Sequence, residues 1–212
     1  MSRKVSPLIP SDCIRGGRTE IFRLHHTSKL PNKQDCVRYC DVTTLYPFVM
    51  SKKLFPWSDL KIHPRPVKTE WSSLLSQEGV SKVLILAKSN LLVPILPFNC
   101  QTNSERPDCQ KHCKVFFPLC RTCVEKVLTE THEILEMKKL NPSYEILISR
   151  DSDEHCFHTD EERSWIGTYT HPELRYALEN EYEIIELFES WVFGKTSTEL
   201  FAPYISLSLI HI

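Results

Sequence analysis

Glycine is scarce in this chain, with five residues among 212. The adjacent pair Gly16-Gly17 therefore marks the place where backbone freedom is concentrated. No apolar run approaches the roughly 18 residues that a membrane-spanning helix needs, so no spanning segment is expected. The first ten residues, Met1 to Pro10, are polar and lack the apolar centre of a secretion signal. An excess of positive charge is also missing. Twenty-six Lys and Arg stand against 27 Asp and Glu, a formal net charge of −1. Any contact with nucleic acid must then come from local patches. Arg15, Arg18, Arg23, His25 and His26 form one such cluster, with Lys29, Lys33 and Arg38 close behind. Neither an internal repeat nor a low-complexity tract is visible. These properties suit an intracellular globular protein with length enough for a core.

Cysteine, by contrast, is plentiful. Nine residues is an odd number, and without a secretion signal they do not suggest a disulfide framework. Cys120-Arg121-Thr122-Cys123 is a CxxC, and Cys156-Phe157-His158 adds two more ligand types. Cys120, Cys123, Cys156 and His158 are candidates for a tetrahedral Cys₃His zinc site. Cys109 and Cys113, with His112 between them, are rival ligands. A set of reduced, half-buried thiols is the alternative. A redox CxxC is disfavoured because no thioredoxin-like βαβ pattern surrounds it.

The periodicities predict an α+β fold. Gly79 to Leu86 reads as a strand, and Leu91 to Phe98 as an extended segment at a sheet edge, since Pro94 and Pro97 interrupt it. Glu125 to Leu140 carries apolar residues roughly on one helical face. Pro172 to Asn180 reads as a short helix followed by a strand from Tyr182 to Phe193. Phe55 to Pro66 and Asn99 to Lys114 read as irregular connections.

One run stands apart: Tyr39-Cys40-Asp41-Val42-Thr43-Thr44-Leu45-Tyr46-Pro47. Val37, Tyr39 and Cys40 predict a short strand that Asp41 ends. Thr43 or Thr44 is placed to cap a following helix, and Pro47 suits its first turn. An Asp at a strand end can hold Mg²⁺ that keeps waters and bridges substrate phosphates. The plainer alternative is a surface Asp in a strand–turn–helix, with Tyr46 as packing.

Asp41 to Pro47 resembles the D-x-x-S-L-Y-P signature of family B DNA polymerases. Ile14 to Glu20, around Gly16-Gly17, resembles the glycine pair that precedes the palm in protein-primed members. Val93 to Pro97, Phe117 to Cys123, Asp160 to Arg163 with Gly167-Thr168, and Trp191 to Phe193 are similar to blocks in polymerases of Polinton (Maverick) transposons. The resemblance runs from about Cys13 to about Phe193. It implies a partial palm over 1–212. The glycine pair and first palm motif would occupy 13–60, a Cys/His-containing insertion about 99–160, and a helix plus strand 165–193.

Residue by residue, the resemblance makes Asp41 the first catalytic metal ligand and the Val42 carbonyl a backbone ligand to Mg²⁺. Val42, Thr44, Leu45 and Tyr46 would form the nucleotide site, with Tyr46 under the incoming sugar. Arg15, Gly16, Gly17, Arg18 and Thr19 would face the DNA template. Thr44 stands where Ser is usual and Phe48 where a small residue is common; Ile14 replaces an aromatic found in many relatives. Similar sequences also keep the CxxC and a later Cys-containing block.

The implied reaction is attack of a primer 3′-hydroxyl on a dNTP, assisted by two metal ions. Partners would be primer–template DNA, dNTP and a terminal priming protein; a transposon product encoded by its host would be nuclear. The resemblance also requires a D-T-D hairpin and a K-x-x-x-N-S-x-Y-G helix, and neither pattern occurs. Asp151-Ser152-Asp153 is the nearest look-alike and reads as loop. No exonuclease domain is expected within 1–212. A polymerase fragment, inactive alone, is therefore expected. The alternatives are a non-catalytic zinc-stabilised nucleic-acid-binding module and a decayed transposon product.

Overall fold

The computed structural model describes residues 4–16, 18, 38–100, 114–127 and 156–209. Over these the chain is mixed α+β, as expected. It divides into two compact units. One comprises Met1–Cys13 and Leu60–Gly194, the other Ile14–Asp59 and Lys195–Ile212.

A four-stranded antiparallel sheet organises the fold, in the order β1-β6-β2-β5. The strands are β1 (Phe55–Pro64), β2 (Gly79–Ala87), β5 (Trp165–Thr170) and β6 (Tyr182–Ser197). Helix α2 (Lys68–Leu75) connects β1 to β2, and α5 (His171–Glu179) connects β5 to β6. Each connection passes over one intervening strand, so the sheet consists of two interleaved split βαβ units. A two-stranded antiparallel ladder joins β3 (Phe98–Cys100) to β4 (Lys114–Phe116). No helix among the described residues is long and apolar enough to cross a membrane.

The core of the first unit follows from strand alternation. Val83, Ile85 and Ala87 of β2 pack with Leu75 of α2, Leu174 and Ala177 of α5, and Ile184 and Leu187 of β6. Trp165 lies at its centre, 1% exposed, and donates its indole N–H to Tyr169 Oη at 2.8 Å. Tyr169 in turn donates to the Pro97 carbonyl at 2.7 Å, so no polar atom of this aromatic pair is stranded. Strand β6 carries two extra residues, Phe188 and Ile185, relative to its partner β2. These bulges re-aim its side chains without breaking the sheet.

On β2, Lys82 points away from the face that Ser81 and Val83 occupy. Its ammonium donates to the Ser6 carbonyl and hydroxyl at 3.1 and 3.0 Å. Glu189, its register partner on β6, accepts the Leu8 N–H at 3.0 Å. The N-terminal segment is thereby fastened to the sheet, and Leu8 is buried there.

The second unit contains α1 (Leu45–Lys52) and α6 (Ala202–Leu209), which pack on each other. Phe55 and Phe201 meet edge to face with centroids 5.0 Å apart.

Three expectations need correction. Residues 38–42 form no strand, so Asp41 ends a coil segment; nothing buries Tyr39, which is 92% exposed, against a partner strand. Phe55 to Pro64 is not irregular but a ten-residue strand. It lies at the sheet edge, where Pro56 and Pro64 cost few ladder hydrogen bonds. The extended segment expected over Leu91 to Phe98 is a loop, and pairing begins only at Phe98. The expected strand from Gly79 and the helix after Thr170 are present. A capping box between Thr170 and Glu173 and Pro172 in the first turn start that helix. The helix expected from Glu125 is described to residue 127 only and begins at 121; its remainder lies outside the described residues.

Candidate metal centre

Two segments distant in sequence build this site. Strand β4 leads through Pro118 and Leu119 to Cys120, and residues 121–127 are helical (α3). The CxxC therefore straddles the start of a helix, which turns Cys120 and Cys123 toward one side. Cys156 and His158 lie in an extended stretch that ends at Thr159, the N-cap of α4 (Asp160–Arg163). Thr159 and Glu162 form a capping box there, fixing the backbone one residue beyond His158. The Thr122 hydroxyl donates to the Glu162 carbonyl at 2.8 Å and ties the two segments together.

Among the described residues this is the only group of three or more metal-ligating side chains, and its ligand atoms all lie within 4.8 Å of one another. His158 Nδ1 is 3.4 Å from Cys120 Sγ, 3.4 Å from Cys123 Sγ and 3.2 Å from Cys156 Sγ. Cys123 Sγ and Cys156 Sγ are 3.6 Å apart. A disulfide needs about 2.05 Å, so these thiols are free. One imidazole nitrogen makes one hydrogen bond in its plane, yet three sulfurs surround it. A cation at the centre would satisfy all four ligands at once. Zinc, with bonds of about 2.3 Å to sulfur and about 2.0 Å to nitrogen, sets tetrahedral edges near 3.5–3.8 Å. The observed separations approach those edges, so the cluster could hold a metal such as zinc.

Burial, reinforced by the neighbouring cysteines, pushes the Cys123 thiol up to about 12. Burial also raises Cys120. At Cys156 burial is outweighed by hydrogen bonds from His158 and the other thiols, which bring it down to about 7. Three thiolates so close repel one another, and a bound dication removes that penalty while displacing the protons. An apolar hollow of about 450 Å³ opens beside the cluster, lined by Phe116, Pro118, Leu119, Val124 and Val127 together with Cys120, Cys123 and Cys156.

The polymerase-like residues are arranged differently. Asp41, Val42, Thr43, Thr44, Leu45 and Tyr46 are all exposed, in the turn that enters α1. Thr44 is the N-cap, with φ 56° in the left-handed region, and its hydroxyl donates to the Thr43 carbonyl at 2.7 Å without capping the helix. The Val42 carbonyl accepts the Leu45 N–H at 3.4 Å, a long contact that leaves acceptor capacity. Pro47 occupies the first turn, where its missing N–H costs nothing. Asp41 belongs to no group of three or more potential metal ligands among the described residues. One carboxylate does not by itself hold two magnesium ions. Arg15 is half-buried, and Gly16 and Arg18 are exposed. Gly17, Thr19, Arg23, His25, His26, Cys109, His112, Cys113 and Asp151-Ser152-Asp153 lie outside the described residues.

Sequence reasoning missed a polar group inside the first unit. His171, Ser81 and Ser190 are fully buried and touch one another. Polar residues at β2 and β6 positions facing the apolar helix stripe were the available signal. Comparison with protein-family models, with curated proteins and with solved structures gave no match.

Proposed function

We propose that this chain is a palm-region part of a protein-primed family B DNA polymerase of the Polinton type. The complete enzyme would add dNTPs to a primer on a DNA template by two-metal nucleotidyl transfer. The run Asp41 to Pro47 carries this reading: it resembles the polymerase signature, with Thr44 in place of Ser, and stands at a helix start with Asp41 and Tyr46 open to solvent, Tyr46 78% exposed. Asp41 would supply one metal-binding carboxylate, Val42 a carbonyl, and Tyr46 a ring for the sugar of the nucleotide. Arg15 to Thr19 would contact the template. The D-T-D and K-x-x-x-N-S-x-Y-G blocks that would supply the second carboxylate and the triphosphate-binding Lys do not occur within these 212 residues.

Zinc at Cys120, Cys123, Cys156 and His158 would have a structural role, joining α3 to the start of α4. A closed set of four protein ligands leaves no open position for substrate, which suits structure rather than catalysis.

The primary test is the coding DNA that follows this reading frame. A K-x-x-x-N-S-x-Y-G block and a D-T-D block are expected there, and their absence overturns the polymerase assignment. A chain joined to those blocks should extend a primer with Mg²⁺, and its Asp41→Ala form should not.

The Cys/His cluster favours one other reading, a zinc-stabilised nucleic-acid-binding module without catalysis. It gains if zinc is stoichiometric, DNA binding survives Asp41→Ala, and no polymerase blocks follow.

A further inference from the structure

The four candidate ligands differ in how far solvent reaches them. Cys120 is 4% exposed. Cys123 is half-buried, and Cys156 is exposed. The two more accessible sulfurs, Cys123 Sγ and Cys156 Sγ, are 3.6 Å apart and come from positions 33 residues apart in the chain. They belong to different segments, one opening α3 and the other leading to the cap of α4.

We propose that Cys123 and Cys156 form an oxidation site for hydrogen peroxide, at which a disulfide replaces the metal as the tie between these segments. The proposal rests on the zinc reading and adds regulation to it. A metal-bound cysteine is a thiolate, and thiolates are the species that peroxides oxidise. The exposed Cys156 sulfur attacks one peroxide oxygen. The O–O bond breaks, a sulfenic acid forms, and the departing hydroxide takes a proton to become water. The Cys123 thiolate then attacks the sulfenyl sulfur. The S–S bond forms, the S–O bond breaks, and the leaving hydroxide is protonated to a second water. Two thiolates lose two electrons in all, and one peroxide gains them. Zinc keeps only Cys120 and His158, too few for a tetrahedral protein site, and dissociates. A thiol reductant reverses the step.

The disulfide leaves the α3–α4 connection closed, so the fold around the core need not open. An approach of the sulfurs by about 1.5 Å separates the two states, from 3.6 Å to about 2.05 Å.

The test uses the full 212-residue chain purified under reducing conditions with zinc present. Metal content before oxidant reads the zinc assignment by itself; one zinc per chain is expected, and none refutes that assignment. Hydrogen peroxide is then added in small molar excess. A chromogenic chelator should register release of one equivalent of zinc. Peptide mapping without reduction should find Cys123 joined to Cys156. Dithiothreitol and fresh zinc should restore the starting state. If the chain holds no zinc, the same mapping on the metal-free protein still tests the pair. A Cys120→Ser chain should form the same cross-link, because its partner sulfurs remain. A cross-link between Cys120 and Cys123, or full retention of zinc while the exposed Cys40 is oxidised, overturns the proposal.

Discussion

Ser81 Oγ of β2 lies 2.8 Å from His171 Nε2 at the start of α5, with both side chains fully buried. His171 Nδ1 lies 2.8 Å from the Gln77 carbonyl. A carbonyl only accepts, so Nδ1 carries the proton, and Nε2 faces the hydroxyls of Ser81 and Ser190 at 2.8 and 3.3 Å. Ser190 completes the group, 2.9 Å from Ser81 Oγ. A buried Ser–His contact of this kind has no access to substrate. It fastens the α5 N-terminus to the sheet and fixes the histidine in its neutral form.

Stability should therefore depend on pH through His171. Burial, above all, lowers its proton affinity below the usual histidine value, and the nearby Arg175 acts in the same direction. The unfolded chain then binds a proton more readily than the folded one. Stability is complete above about pH 6.5 and falls as pH drops from there through the folded value. The slope for one proton is at most about 1.4 kcal/mol per pH unit. Urea unfolding between pH 7.5 and 5 checks this, with His171→Gln expected to flatten the curve. Equal slopes for both chains would contradict the assignment. Glu162 acts at lower pH: hydrogen bonds from Thr159 lower its value, so its contribution is lost as pH falls below the ordinary carboxyl range.

Gly79→Ala should destabilise the protein. An added Cβ would sit 2.6 Å from His171 Cε1 and would also strike the Trp191 carbonyl. Neither neighbour is the far end of a flexible chain. Overpacking of this kind costs about 1–3 kcal/mol. The urea midpoint should fall with little change in the denaturant dependence.

Removal of zinc should lower the melting temperature, because the bound metal stabilises only the folded chain. Cys120→Ser should weaken zinc by more than the roughly 10–100-fold lost with a group that merely supports a ligand. Thr159→Ala keeps all four ligands and removes the cap beside His158, so it should weaken zinc less. Competition with a calibrated chelator measures all three proteins. Equal affinities would argue against the Cys₃His site.

Asp41→Ala should leave the fold intact. The carboxylate is exposed and outside the core, and such substitutions stay within about 0.5 kcal/mol. Zinc content should not change either. The 212-residue chain should give no primer extension with either residue at position 41, and robust dNTP incorporation by the unaltered chain would overturn its reading as an incomplete palm.

Local chemistry made part of this protein legible before any coordinates. The apolar residues along Gly79–Leu86, Pro172 near the start of its helix, and the long β-prone run from Tyr182 each signal their element within a few residues. The four candidate zinc ligands were identifiable from residue type and the CxxC spacing. Their convergence was not, since Cys123 and Cys156 are 33 positions apart and spacing alone left Cys109 and Cys113 as rivals. Prolines made β1 look irregular, because only sheet order shows that it is an edge strand. The burial of His171, Ser81 and Ser190 is likewise a property of how α5 crosses the sheet. The sequence by itself determined which side chains could bind metal and where β2, β6, α1 and α5 begin. Tertiary structure decided which of those side chains meet: Cys120, Cys123, Cys156 and His158 converge, and Asp41 belongs to no group of three or more potential ligands among the described residues. Residue type sets what an atom can bond, and only the path of the backbone sets what lies within bonding distance.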